Sequence, residues 1–197
     1  MTDKHQKKMQ KLKENVDAGI KSADTEQGVV ILLTGEGKGK TSSAFGMVVR
    51  ALGYDYKVGV VQFIKGQQLS GEELYLRDKC PQVDFYQMGT GFTWDTQDRE
   101  ADIAAAKKTW SVAEQMLKDD SFHLVVLDEL TYMFSFKYLD EDMVLNAVRN
   151  RPANQSVVIT GRGGGAGLQE LADTVSEIKE IKHAYKDGIM ARRGVDF

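Results

Sequence analysis

The sequence predicts an α/β fold in which a mostly parallel sheet is flanked by helices. Three observations carry that prediction. From Gly28 onward, apolar runs of strand length alternate with segments of helical period, the pattern of strands joined by crossover helices. The runs are nearly continuous instead of alternating apolar with polar, as strands covered on both faces must be. Finally, "LLTGEGKGKTSSAFG", Leu32 to Gly46, places a glycine-rich turn between the first run and the first helical segment, where a strand hands over to a helix N-terminus.

Residues 2 to 27 are polar and lysine-rich, with Met9, Leu12, Val16 and Ile20 three and four residues apart. This spacing predicts a narrow amphipathic arm, residues 1–27, preceding a single domain at 28–197. A solvated helix packed on its own domain and an arm reaching a partner subunit fit the stripe equally. Strands are expected at Val29 to Thr34, Val58 to Ile64, Val83 to Met88, Leu124 to Asp128 and Val157 to Gly161. The helix after the glycine-rich turn carries Phe45, Val48, Val49 and Leu52 on one face, with Gly53 as its stop. A longer helix follows Thr96, with Ile103, Ala106, Trp110, Ala113 and Leu117 on its stripe, and another runs from about Asp140 to Asn150, before Pro152. Val175 to Tyr185 has mixed periodicity and fits strand or helix, and "RGGGAG" at Arg162 to Gly167 is the only low-complexity tract.

A chain of 197 residues, 42% hydrophobic and 28% charged, supports one buried core and not two generous ones. The net charge of -3 provides no basic footprint, so nucleic acid is not an expected partner. Cys80 is the single cysteine and excludes an intramolecular disulfide; a reducing cytoplasm fits. The N-terminus has no signal-peptide core, and the longest apolar run, Val29 to Leu33, is far shorter than a membrane span. A soluble protein is expected.

The glycine-rich turn matches the phosphate-loop pattern G-x-x-x-x-G-K-[ST], except that Thr34 stands where the first glycine belongs. Its glycines allow backbone N–H groups to face phosphate oxygens. The expected nucleotide-binding set is Gly35, Glu36, Gly37, Lys38, Gly39, Lys40, Thr41 and Ser42, together with Arg50 further along the helix. Lys40, taken as an exposed loop lysine, is expected to hold the terminal phosphates, and the Thr41 hydroxyl to ligate Mg²⁺. Lys38 is either a second cation at the polyphosphate or a solvated loop residue. "HLVVLDE" puts Asp128 and Glu129 at the end of a buried strand, where they complete the metal site with Thr41. Gln62 to Gly66 and Thr160 to Gly165 lie past strand C-termini, where open α/β sheets bind ligands; plain turn chemistry explains either equally well. Phe92 and Trp94 sit in the loop "MGTGFTWDT", off any apolar stripe. They either fold back on the core or offer a face to a large planar ligand. Trp110, on a helical stripe, is core. Cys80 reads as a small buried residue, and His5, His123 and His183 have no ligand spacing.

"TGEGKGKT", "GVVQFIKG", "GFTWDTQDREAD", "VVLDELTYM", "VVITGRG", "LADTVSEIKEIKHAY" and "RGVDF" occur in this order over essentially the whole chain. In them the sequence resembles the ATP:corrinoid adenosyltransferases of the cob(I)yrinic acid a,c-diamide adenosyltransferase type, P-loop NTPase-like proteins; "RGGGAG" departs from the family's usual continuation of "TGR". The resemblance implies that the cobalt(I) of a corrinoid, cobalamin or cobinamide, displaces triphosphate from the 5'-carbon of ATP, giving adenosylcobalamin or its precursor. The triphosphate is then the leaving group, stabilised by Lys40, Lys38, Thr41 and Mg²⁺, and ATP lies reversed along the loop, which Thr34 at the entrance would tolerate. Cobalt(I) needs no general base, so Glu129 is cast as a Mg²⁺ ligand. Phe92 and Trp94 would expel the lower axial ligand of cob(II)alamin, making its reduction by a flavoprotein feasible. The family further implies a homodimer, in which the N-terminal arm covers its own or the neighbouring site. The rival readings are a P-loop phosphotransferase or ATPase, and a module that senses ATP without turnover.

Overall fold

The computed structural model describes residues 3–64, 70–89 and 98–197. Among them, β1 (Val30–Thr34), β2 (Val58–Gln62), β3 (Val83–Gln87), β4 (Leu124–Asp128), β5 (Ser156–Thr160) and β6 (Thr174–Glu177) form one sheet in the order β3-β2-β4-β5-β1-β6. Every neighbouring pair is parallel. The expected strands are therefore present to within two residues at either end. β6 is the addition: it resolves the first part of the ambiguous stretch, and a 3-10 turn at Ala184–Asp187 follows. All four residues of β6 are exposed, so this edge strand has no apolar run to announce it.

Successive strand residues point to opposite faces, and the two faces are buried differently. On one side Leu33, Val60, Val126 and Val158 pack against Ala44, Phe45, Val48 and Ala51 of α2 (Lys40–Leu52) and Leu76 of α3 (Gly71–Lys79). On the other, Leu32, Val61, Leu127 and Ile159 meet Ala106, Trp110, Ala113 and Leu117 of α4 (Arg99–Lys118). That core also takes Met133 of α5 (Thr131–Ser135), Val144 and Val148 of α6 (Glu141–Arg149) and Leu168 of α7 (Gly165–Leu171). Fully burying one such side chain is worth about 1.5–3 kcal/mol, so the two cores set the sheet's position between its helices. The result is an α/β fold of the P-loop NTPase-like kind.

The caps follow from sequence. Asp98 accepts from the Ala101 N–H at the start of α4, and Asp140 from the Met143 N–H at the start of α6. Gly53 does cap α2, with a right-handed backbone, φ -63°. The glycine tract is partly helical, since α7 begins within it at Gly165. Helix α1 (Asp3–Ser22) lies within the expected arm, and Met9, Leu12, Val16 and Ile20 are all exposed on it. Among the described residues no helix is long and apolar enough to cross a membrane.

Candidate functional site

The central strands β2, β4, β5 and β1 end at one edge of the sheet in Gln62, Asp128, Thr160 and Thr34, which are 1%, 2%, 0% and 7% exposed. Buried polar groups are costly unless paired, and these are paired with one another and with the loops above them. Asp128 Oδ1 accepts from Thr41 Oγ1 at 2.9 Å and from Thr160 Oγ1 at 2.7 Å, while Oδ2 accepts from Gln62 Nε2 at 2.8 Å. Three elements thus converge on one carboxylate.

Glu129 follows in a left-handed backbone conformation, φ 58°, uncommon for a residue with a side chain. Its N–H donates to Thr160 Oγ1 at 2.9 Å. Burial, and then the neighbouring Asp128 charge, push its carboxyl up to about 7, against the pull of Lys40 and Arg162. Its Oε2 is buried and has no protein hydrogen-bond partner.

The phosphate loop crosses from β1 to α2, with left-handed Gly39 as the helix N-cap and no side chain capping the first turn. The N–H groups of that turn are a ready anion site. The outer wall of the loop is the chain that leaves β6: Ile178 N–H donates to Thr34 O at 2.8 Å, and Gly37 N–H to Ile178 O at 2.7 Å. A Cβ at Gly35 or Gly37 would come within 2.5 or 2.7 Å of the Ile178 carbonyl oxygen. The two backbones touch because both positions are glycine.

Lys40 corrects the expectation of an exposed loop lysine: it is 7% exposed. Its Nζ donates to Gly35 O at 2.6 Å and Gly37 O at 2.8 Å, because a buried ammonium must find acceptors. Burial holds its pKa below the usual lysine value, opposed mainly by Glu129. Lys38 forms an ion pair with Asp196 at 2.8 Å, at the rim of a cavity of about 610 Å³ lined by Ile181, Tyr185, Met190 and Val195. Glu36 pairs with Arg162 at 2.9 Å, both exposed, and Ser42 is exposed on the first turn of α2.

Thr34 Oγ1 donates to the Gly163 carbonyl and Thr131 Oγ1 to the Arg162 carbonyl, so the glycine-rich loop after β5 is tied across the crevice. Threonine at the loop entrance therefore has a structural task of its own.

Arg50 is not brought to this site. It lies on the last turn of α2, roughly 15 Å from Lys40 at the helical rise of ~1.5 Å per residue. There it lines a groove of about 320 Å³ with Tyr54, Tyr56 and His123, where the strands begin. Phe92 and Trp94, like Lys65 and Gly66, lie outside the described residues. Gln62 and Thr160 are the functional contacts that motif reasoning left undecided; their signal is a buried polar residue closing an apolar strand.

Hard oxygen donors from Thr41, Asp128 and Glu129 suit a magnesium ion, and the unpartnered Glu129 Oε2 is the observation that favours one. Among the described residues no group of three or more His, Cys, Asp or Glu converges, so such an ion would take its remaining ligands from phosphate oxygens and water.

Residues 26–197 match the family described as ATP:corrinoid adenosyltransferase BtuR/CobO/CobP. The chain is 52% identical to a corrinoid adenosyltransferase of Pseudomonas aeruginosa, over 98% of this chain and 96% of the relative. It is 49% identical to one from Escherichia coli K12, over 99% and 98%. The enzyme named corrinoid adenosyltransferase CobA in Salmonella typhimurium is 47% identical over the same shares.

Proposed function

The chain belongs to the ATP:corrinoid adenosyltransferase family and transfers the adenosyl group of ATP to a corrinoid, and we propose that the crevice at the C-terminal edge of its sheet is where the triphosphate leaves. The observation that carries this reading is the convergence of Thr41, Thr160 and Gln62 on Asp128, beside an unpartnered Glu129 oxygen and below the phosphate loop. In the reaction the cobalt(I) electron pair forms the bond to the 5'-carbon, and the departing C–O pair leaves with the triphosphate. Nothing in that step needs a base. Lys40 turns from the Gly35 and Gly37 carbonyls toward the phosphates, Lys38 adds a cation once freed of Asp196, and the loop N–H groups hold the oxygens. Thr41, Asp128 and Glu129 would hold Mg²⁺, which would supply charge neutralisation at the leaving group. Product analysis with ATP, Mg²⁺ and prereduced cob(I)alamin tests the reading: triphosphate with adenosylcorrinoid is expected, and ADP would overturn it.

Phe92 and Trp94 expel the lower axial ligand of cob(II)alamin and cover the vacated face, which lowers the cost of reduction by a flavoprotein such as a flavodoxin-like donor. This role rests on the family resemblance. In a Phe92→Ala/Trp94→Ala protein, turnover from cob(II)alamin with a flavoprotein donor should collapse, while turnover from cob(I)alamin largely survives. Equal loss from both would remove the role. The exposed stripe Met9, Leu12, Val16 and Ile20 supports an arm that closes over the site of a second copy in a homodimer. Deleting residues 2–22 should weaken corrinoid turnover more than ATP binding, and unchanged turnover would sink the lid.

A further inference from the structure

One side chain outside the phosphate loop, Thr160, touches both acidic residues of the crevice. We propose that Thr160 is a positioning residue for the metal-binding carboxylates, fixing Asp128 through its hydroxyl proton and Glu129 through its hydroxyl oxygen. The proposal rests on the magnesium reading above and extends it to the end of β5.

Donor and acceptor roles follow from chemistry. A backbone N–H can only donate, so Thr160 Oγ1 accepts from Glu129 at 2.9 Å. The one hydroxyl proton is then left for Asp128 Oδ1, which can only accept, at 2.7 Å. Glu129 holds a left-handed backbone, φ 58°, and such conformations persist when their surroundings over-determine them. The bond to Thr160 is part of that hold. Register explains the placement. Leu127 lies opposite Ile159, which sets Thr160 beside Asp128, and Gln62 lies directly opposite Asp128 on the other flank. The carboxylate is therefore gripped from both neighbouring strands and from Thr41 on α2. Residues that orient metal ligands in this way matter nearly as much as the ligands themselves.

A threonine closing a buried β-strand is also an ordinary packing residue, so the test separates hydroxyl from shape. Thr160→Val keeps the shape and removes the hydroxyl, and Thr160→Ser keeps the hydroxyl and removes a methyl. The dissociation constant of ATP is measured with and without Mn²⁺, no corrinoid present, together with the EPR line shape of the bound Mn²⁺. In the parent, Mn²⁺ should tighten ATP binding. Thr160→Val should lose about 10-fold or more of that tightening, with metal-free ATP affinity little changed, and Thr160→Ser should keep most of it. Parental tightening and line shape in Thr160→Val would overturn the proposal, as would a Ser variant impaired as badly as Val. A parent whose ATP affinity ignores Mn²⁺ would overturn the magnesium reading itself, a separate failure. Should Thr160→Val not fold, Thr160→Ala set against Thr160→Ser asks the same question of the hydroxyl.

Discussion

The two ends of the same four strands are built from different material. At their starts, β1, β2 and β4 place Val30, Val58 and Leu124, all buried and apolar, and β5 places Ser156, whose hydroxyl accepts from the Val29 N–H. That edge is finished by a stack in which Tyr56 lies 3.8 Å from His123 and 6.0 Å from Tyr54. At their finishes, every one of the four strands ends in a buried polar residue. Burying Gln62, Asp128 and Thr160 is tolerable only because each satisfies another. Such polarity is unnecessary for a stable sheet, as the opposite end demonstrates, and its presence at one end is what the proposed site requires.

Substitutions should register on opposite scales at the two ends. Lys40→Ala should have the largest effect, about 2–4 kcal/mol of transition-state stabilisation, or roughly 30- to 1000-fold in kcat/KM. Because Lys40 is buried against two carbonyls, it should also cost about 1–2 kcal/mol of stability in urea. A parental kcat/KM would move the phosphate site elsewhere.

Next comes the pH dependence of the metal requirement. Glu129 stands near 7 and must lose its proton to ligate, so the Mg²⁺ concentration for half-maximal rate should rise as pH falls below 7, up to about tenfold per unit. Glu129→Gln should flatten that slope while raising the requirement; an unchanged slope would remove Glu129 from the metal. Without metal the same shift acts on stability. The folded state holds the Glu129 proton more tightly than the unfolded chain, so this contribution is complete below about 4.5, the ordinary value, and is lost as pH rises through about 7. In EDTA, Glu129→Gln should therefore melt above the parent at pH 8 and match it near pH 4.

At the other end, Tyr56→Ala should lower stability by about 1 kcal/mol through the lost ring contacts and leave kcat/KM alone. Arg50→Ala should do least, within ~0.5 kcal/mol in stability with the KM for ATP unchanged. A raised KM would return Arg50 to the nucleotide set and blur the contrast between the ends.

The sheet was legible because continuous apolar runs such as "HLVVLDE" permit few alternatives, and β4 falls on its expected bounds, Leu124–Asp128. β6 was not, because "TVSE" on an edge buries nothing. α3 was missed because Leu76 is the only buried apolar side chain on it. Lys40, Thr41, Asp128 and Glu129 were legible as a motif and its partner. The burial of Lys40 was not, since its partners are carbonyls that every residue carries. Gln62 and Thr160 are informative only once register sets them either side of Asp128, and the distance of Arg50 from the loop emerges only with the length of α2, which carries it to the groove with Tyr54, Tyr56 and His123.

The contact between the phosphate loop and the chain leaving β6 has a consequence for any mutational library built on this protein. Gly35 and Gly37 are usually read as concessions to the nucleotide, yet each already abuts the Ile178 carbonyl, and Gly35 has φ 99°. A selection for folding alone, with no demand for catalysis and no ATP supplied, should still return glycine at both positions. Enrichment there reports the architecture of the wall as much as the ligand, and only the difference between the two selections isolates what ATP itself requires.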